Sequence, residues 1–151
     1  MKKILGITSA IVFLIMTASA SFCEEANPSA KDTPAKEEPS LVKWASFDEG
    51  MKTAAKKNLP LYVEFYATWC PPCKEMARTT FRNTDVAKML NEEFVSVKVD
   101  IDKERDLALR YGARSIPHHV VMDSKGEILK VLRGGLPADM FMTILKETTK
   151  K

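Results

Sequence analysis

Two cysteines separated by two residues, Cys70 and Cys73, follow closely on the run Leu61-Tyr62-Val63-Glu64-Phe65-Tyr66, which Pro60 bounds in front. The run is aromatic and β-branched, the pattern of a buried strand. Behind the pair, Lys74-Glu75-Met76-Ala77-Arg78 favours helix. A thiol at a helix start gains thiolate character, because unpaired backbone N–H groups and the helix dipole favour negative charge there, and Cys70 occupies that position. The spacing has three chemical readings: a redox-active pair, half of a zinc site, or an inert structural disulfide. Zinc needs four ligands, and the other candidates are Cys23, far upstream, and the neighbours His118 and His119. In a strand, adjacent side chains point to opposite faces, so that pair is a poor metal clamp and the redox reading is preferred.

The rest of the chain supplies elements around this unit. Ser46-Phe47-Asp48-Glu49 has the form of a capping box, opening a helix of about ten residues that Asn58-Leu59-Pro60 stops. Thr84 is the expected cap of a helix carrying Val86, Met89 and Leu90; residues 94–99 alternate as a strand; residues 103–111 form a short helix ending at Gly112. Residues 118–122 and 127–132 read as strands joined across Asp123-Ser124-Lys125-Gly126. A last helix over residues 137–148 is expected to bury Met140, Phe141, Ile144 and Leu145. Tyr66 and Phe81 are expected in the core. Helices and strands in this order predict an α/β domain, a central mixed sheet flanked by helices.

The 151 residues hold one ordinary domain plus an appendage, not two cores. Lys2-Lys3, an apolar stretch over residues 4–16 and the ending Ala18-Ser19-Ala20 read as a secretory signal peptide over residues 1–20. The apolar stretch is short for a bilayer span; an uncleaved membrane anchor is the alternative, and a lipid on Cys23 is disfavoured by bulky Phe22 before it. Residues 21–40, rich in Ala, Glu, Lys and Pro, read as a disordered linker, and residues 41–151 as the domain. Cys23, if retained, is a spare linker thiol. Residues 1–20 hold two of the 23 basic and none of the 20 acidic residues, so the remainder carries 21 against 20, a net charge of +1. With no basic cluster, a nucleic-acid partner is excluded.

At the level of motifs, the chain resembles the thioredoxin superfamily over residues 41–146. Tyr66-Ala67-Thr68-Trp69-Cys70-Pro71-Pro72-Cys73-Lys74 is similar to the active-site motif, Ile116-Pro117 to the cis-proline loop, and Arg133-Gly134-Gly135 to the glycine turn before the final helix. Thr80-Phe81 and residues 86–100 resemble most the thioredoxin-like domains related to the periplasmic C-terminal domain of the disulfide reductase DsbD. The resemblance implies a thioredoxin fold, with Cys70 the exposed nucleophile and Cys73 the recessed resolving thiol. Pro117 is expected to hold a cis bond facing the cysteines, leaving the Ile116 backbone to pair with an extended partner segment. Trp69, Pro71 and Gly134 complete the expected partner-binding surface, with Trp69 at its lip.

Glu64 stands where thioredoxins usually carry a buried Asp, and Lys98 where the family often supplies its lysine partner. A carboxylate among Tyr62, Val63 and Phe65 needs a partner or a purpose, so Glu64 is the candidate base for Cys73; the alternative is an edge-facing, solvated glutamate. His118 and His119 stand where the family commonly shows Thr and an apolar residue. They either tune the site or place one ring in the core and one at the surface. Pro71 and Pro72 offer no N–H to a Cys70 thiolate, which favours a reductant.

The function expected is an exported thiol–disulfide oxidoreductase, a monomer without cofactor or metal. It would pass electrons from a membrane thiol donor to disulfide-containing exported proteins in the periplasm or an equivalent extracytoplasmic space. The alternatives are a disulfide oxidase or isomerase, a reductase of cytochrome c maturation, and a non-catalytic binding module on the same fold.

Overall fold

A computed structural model describes residues 40–150. The signal-peptide and linker readings therefore fall outside the described residues. The first described element is β1 (Trp44–Ala45), followed by α1 (Phe47–Lys57), β2 (Leu61–Tyr66) and α2 (Pro71–Arg78). A 3-10 turn (Thr80–Arg82) leads to α3 (Thr84–Glu92), β3 (Val95–Asp100) and α4 (Arg105–Arg110). The chain closes with β4 (His118–Met122), β5 (Ile128–Arg133) and α5 (Ala138–Thr149).

The strands form one sheet in the order β1-β3-β2-β4-β5. β1 and β2 run parallel to β3, whereas β4 is antiparallel to both β2 and β5, so the sheet is mixed as expected. This is the thioredoxin fold.

β2 is central and covered on both faces, which is why its burial does not alternate. Its odd residues, Leu61, Val63 and Phe65, join Val97, Val99, Val120 and Met122 in a cluster that includes Ala54 of α1 and Ala108 of α4. Tyr62, on the other face, packs with Met76, Phe81, Leu90, Val121, Phe141 and Leu145, drawn from α2, the 3-10 turn, α3, β4 and α5. Gly50 lets α1 lie close on the sheet: a Cβ there would run into the Val97 side chain.

Four local expectations need correction. The capping box does not form, because the Ser46 hydroxyl donates to the Glu49 carboxylate at 2.8 Å instead of accepting from the helix. The cap of α3 is Asn83, not Thr84; its Oδ1 accepts from the amides of Asp85 and Val86 at 2.9 and 3.1 Å. Met140 is 51% exposed on α5, where Phe141 and Leu145 take the core positions. Tyr66, at the end of β2, is only partly buried. The two-residue strand β1 was not foreseen, since two residues carry no periodicity.

Candidate active site

β2 ends at Tyr66, and Ala67-Thr68-Trp69 turns the chain so that Cys70 becomes the N-cap of α2, with prolines at the first two helical positions. Neither proline has an N–H, so the first helical amide available is that of Cys73, and it donates to Cys70 Sγ at 3.3 Å. The two cysteines are joined as a disulfide, their Cα atoms 5.3 Å apart. Both are buried in this oxidised form, at 2% and 3% exposure, packed with Ala67 and against Tyr66, Ile101 and Ile116. The expected contrast of an exposed Cys70 with a recessed Cys73 is therefore not present. Trp69 is 61% exposed, and Pro71 and Pro72, between the cysteines, are exposed as well.

The other two motifs converge on this helix start. The Ile116–Pro117 bond is cis, and Ile116 packs against the cysteine cluster. Gly134, at φ 84°, donates its N–H to the Pro117 carbonyl at 2.8 Å. A Cβ on Gly135 would come within 3.8 Å of the Pro72 Cβ, so the glycine turn lies beside α2. A cleft of about 370 Å³ opens there between Pro72, Met76, Gly135 and Leu136. The Trp69 indole N–H donates to Asp102 at 2.7 Å, and the Asp102 amide in turn donates to Asp100 at 3.0 Å. Asp102 was not singled out from the sequence, where nothing distinguishes it from other surface acids.

Glu64 is fully buried in the middle of β2, which excludes the solvated reading. It lies on the Tyr62 face, with Lys98 of β3 on one side in the register and His119 of β4 on the other. Lys98 Nζ stands 3.4 Å from Glu64 Oε2 and also lies over the rings of Tyr66 (4.4 Å) and Trp44 (5.2 Å). Neither carboxylate oxygen has a well-formed hydrogen bond among the described residues. Burial pushes the Glu64 carboxyl up to about 7, with Lys98 offsetting only part of that cost.

His118 and His119 do point to opposite faces, but both are buried, because α1 and α4 cover one face and α5 the other. Of the two alternatives for these histidines, the one that leaves a ring at the surface is thus excluded. His118 Nε2 donates to the Tyr111 carbonyl at 3.1 Å, and His119 Nε2 to the Gly134 carbonyl at 3.2 Å. Desolvation lowers both imidazoles, His119 to about 4, so His119 is neutral at pH 7.

Among the described residues, no group of three or more His, Cys, Asp and Glu is placed to hold a metal ion. Nor is any described helix long and apolar enough to cross a membrane. What the arrangement can do is thiol–disulfide exchange, through a disulfide at the cap of a helix.

Known proteins resemble this chain in sequence and in fold. The family model described as a thioredoxin-like domain matches residues 47–149. A thioredoxin of Borreliella burgdorferi is 32% identical over 74% of this chain and 92% of its own length. Thioredoxin Y, chloroplastic, of Oryza sativa subsp. japonica is 28% identical over 84% of this chain and 71% of its own. In fold, the solution structure of a thioredoxin from Thermus thermophilus superposes with a TM-score of 0.65 at 24% identity, over 71% of this chain and 86% of that one.

Proposed function

The chain belongs to the thioredoxin-like domain family, and on that premise we propose that it is an exported reductase of disulfides in other exported proteins. The observation that carries the reading is the Cys70–Cys73 disulfide at the cap of α2, with the cis Ile116–Pro117 bond beside it. Export rests on the signal-peptide pattern of residues 1–20, and a membrane thiol donor on the resemblance to the periplasmic C-terminal domain of DsbD. The working compartment is the periplasm or its equivalent.

In the reduced protein, the Cys70 thiolate attacks a partner disulfide; one partner sulfur leaves as thiolate and Cys70 holds the other in a mixed disulfide. Cys73 then loses its proton and attacks Cys70 Sγ, the second partner sulfur leaves, and the Cys70–Cys73 disulfide remains. Two electrons have passed to the partner. The membrane donor's dithiol restores both thiols and is itself oxidised. Glu64, held near neutrality, is the base that takes the Cys73 proton, directly or through water. Trp69 and Pro71 form the rim against which the partner seats and the Ile116 backbone pairs with it, while Pro117 and Gly134, bonded to each other, hold that loop in place. The missing N–H groups of Pro71 and Pro72 leave the Cys70 thiolate with less stabilisation, which favours the reducing direction.

The test is the equilibrium reduction potential of the pair, titrated against a thiol buffer. A value near about −270 mV, in the thioredoxin range, supports the reductase. One near about −120 mV, typical of strong oxidants, would replace it with an oxidase. No reversible couple would leave a binding module.

A further inference from the structure

Tyr62 and His119 are polar groups at the centre of an apolar layer, both fully buried, and the exchange chemistry above uses neither. Their hydrogen bonds have one consistent assignment. The Gly134 carbonyl can only accept, so His119 Nε2 at 3.2 Å carries the proton. The neutral ring then has Nδ1 as an acceptor, and the Tyr62 hydroxyl, 2.8 Å away, donates to it. The two rings stack 15° from parallel with centroids 5.9 Å apart, and Phe141 of α5 sits edge-on to both.

The far end of this chain is Gly134. Its carbonyl is held by His119 and its N–H by Pro117, so the peptide planes on both sides of Gly134 are pinned. The β4–β5 ladder pairs His119 with Leu132 and ends at His118 and Arg133. The imidazole thus reaches past the end of the ladder to secure a glycine that has φ 84° and no side chain of its own to pack. We propose that Tyr62 and His119 are positioning residues for partner binding, fixing the Gly134 turn against Pro117 so that the adjoining Ile116 backbone is already in place for an extended, disulfide-containing segment. This deepens the oxidoreductase reading and rests on it.

The experiment compares His119→Leu, His119→Gln and Tyr62→Phe with the wild-type protein on two oxidants, the first with dithiothreitol as the reductant and the second in a single turnover of pre-reduced protein freed of dithiothreitol. Insulin supplies a protein disulfide, and 5,5′-dithiobis(2-nitrobenzoic acid) a small one that needs no extended seat. His119→Leu is expected to raise KM for insulin roughly five-fold, the size of one neutral hydrogen bond, with kcat and the small-disulfide rate unchanged. His119→Gln, whose amide keeps a donor for the Gly134 carbonyl, is expected to restore the wild-type KM. An unchanged KM in His119→Leu, or an equal loss on both oxidants, overturns the proposal. Should His119→Leu fail to fold, Tyr62→Phe, which deletes only a hydroxyl, decides on the same criteria. A wild-type protein inactive on both oxidants would instead remove the oxidoreductase reading and this proposal with it.

Discussion

Glu64 and His119 stand directly opposite each other in the antiparallel β2–β4 register, both without solvent exposure. They are an acid and a base, yet burial drives each toward its neutral form, Glu64 up to about 7 and His119 down to about 4. The positive charge that Glu64 meets comes from the other side, from Lys98.

These opposite shifts predict compensating pH effects on stability. Between its unfolded value of 4.5 and about 7, folded Glu64 holds more protons than unfolded Glu64, so its contribution falls as pH rises. His119 behaves in the reverse sense: between about 4 and 6.5 the unfolded state binds more protons, and stability rises with pH. His118 adds to that rise. Denaturant unfolding at pH 4 to 8 is expected to show Glu64→Gln gaining on the wild type by on the order of 3 kcal/mol across the Glu64 window. Parallel profiles for the two proteins would mean that Glu64 has an ordinary carboxyl in the fold.

Glu64→Gln also bears on rate. If the carboxylate takes the Cys73 proton, its loss slows resolution of the mixed disulfide on the order of a hundred-fold at pH 7, while the first attack by Cys70 is spared. Stopped-flow measurement with a fluorescent disulfide substrate separates the two steps. A loss in the first step alone would move Glu64 out of the role of base.

Removing the resolving sulfur has a qualitative outcome. Cys73→Ser is expected to accumulate a stable mixed disulfide on Cys70 that intact-mass spectrometry detects, and Cys70→Ser to form none. Equal adducts on both variants would contradict the division of labour between the two sulfurs.

Gly50→Ala tests the packing of α1 on the sheet. Helix propensity alone would make the change favourable by about 1 kcal/mol. The clash with Val97, however, forces a shift in the core layer, and a net loss of about 1–3 kcal/mol is expected in urea unfolding. A stabilised variant would show that α1 can move out at little cost.

Much of this molecule is legible along the chain, for identifiable reasons. Leu61–Tyr66 reads as a buried strand because its side chains are β-branched and aromatic, and it is the central strand. Gly112, Gly126 and Gly134 stand where the backbone takes positive φ, so the ends of the elements beside them are readable. Asn83 and Thr84 are both good caps by residue type, and only the helix's final register distinguishes them. The burial of both histidines is not legible for a different reason. A strand pattern assigns faces, but whether a face meets water depends on helices contributed by distant segments, here α1 and α4 on one side and α5 on the other.

By itself, the sequence determined the local units: a strand, a turn, two cysteines two residues apart and a helix start whose free donors face a sulfur. Those follow from side-chain periodicity, from the absence of N–H groups in Pro71 and Pro72, and from the reach of four consecutive residues. Only the tertiary structure decided that Ile116, from a loop more than forty residues away, packs against the cluster that holds Cys70 and Cys73. It also decided that Glu64 has Lys98 beside it but no well-formed hydrogen bond, and that His119 holds Gly134 from beneath. Ionisation and hydrogen bonding of a buried group depend on what surrounds it in three dimensions, and those surroundings come from strands and loops far apart in the chain.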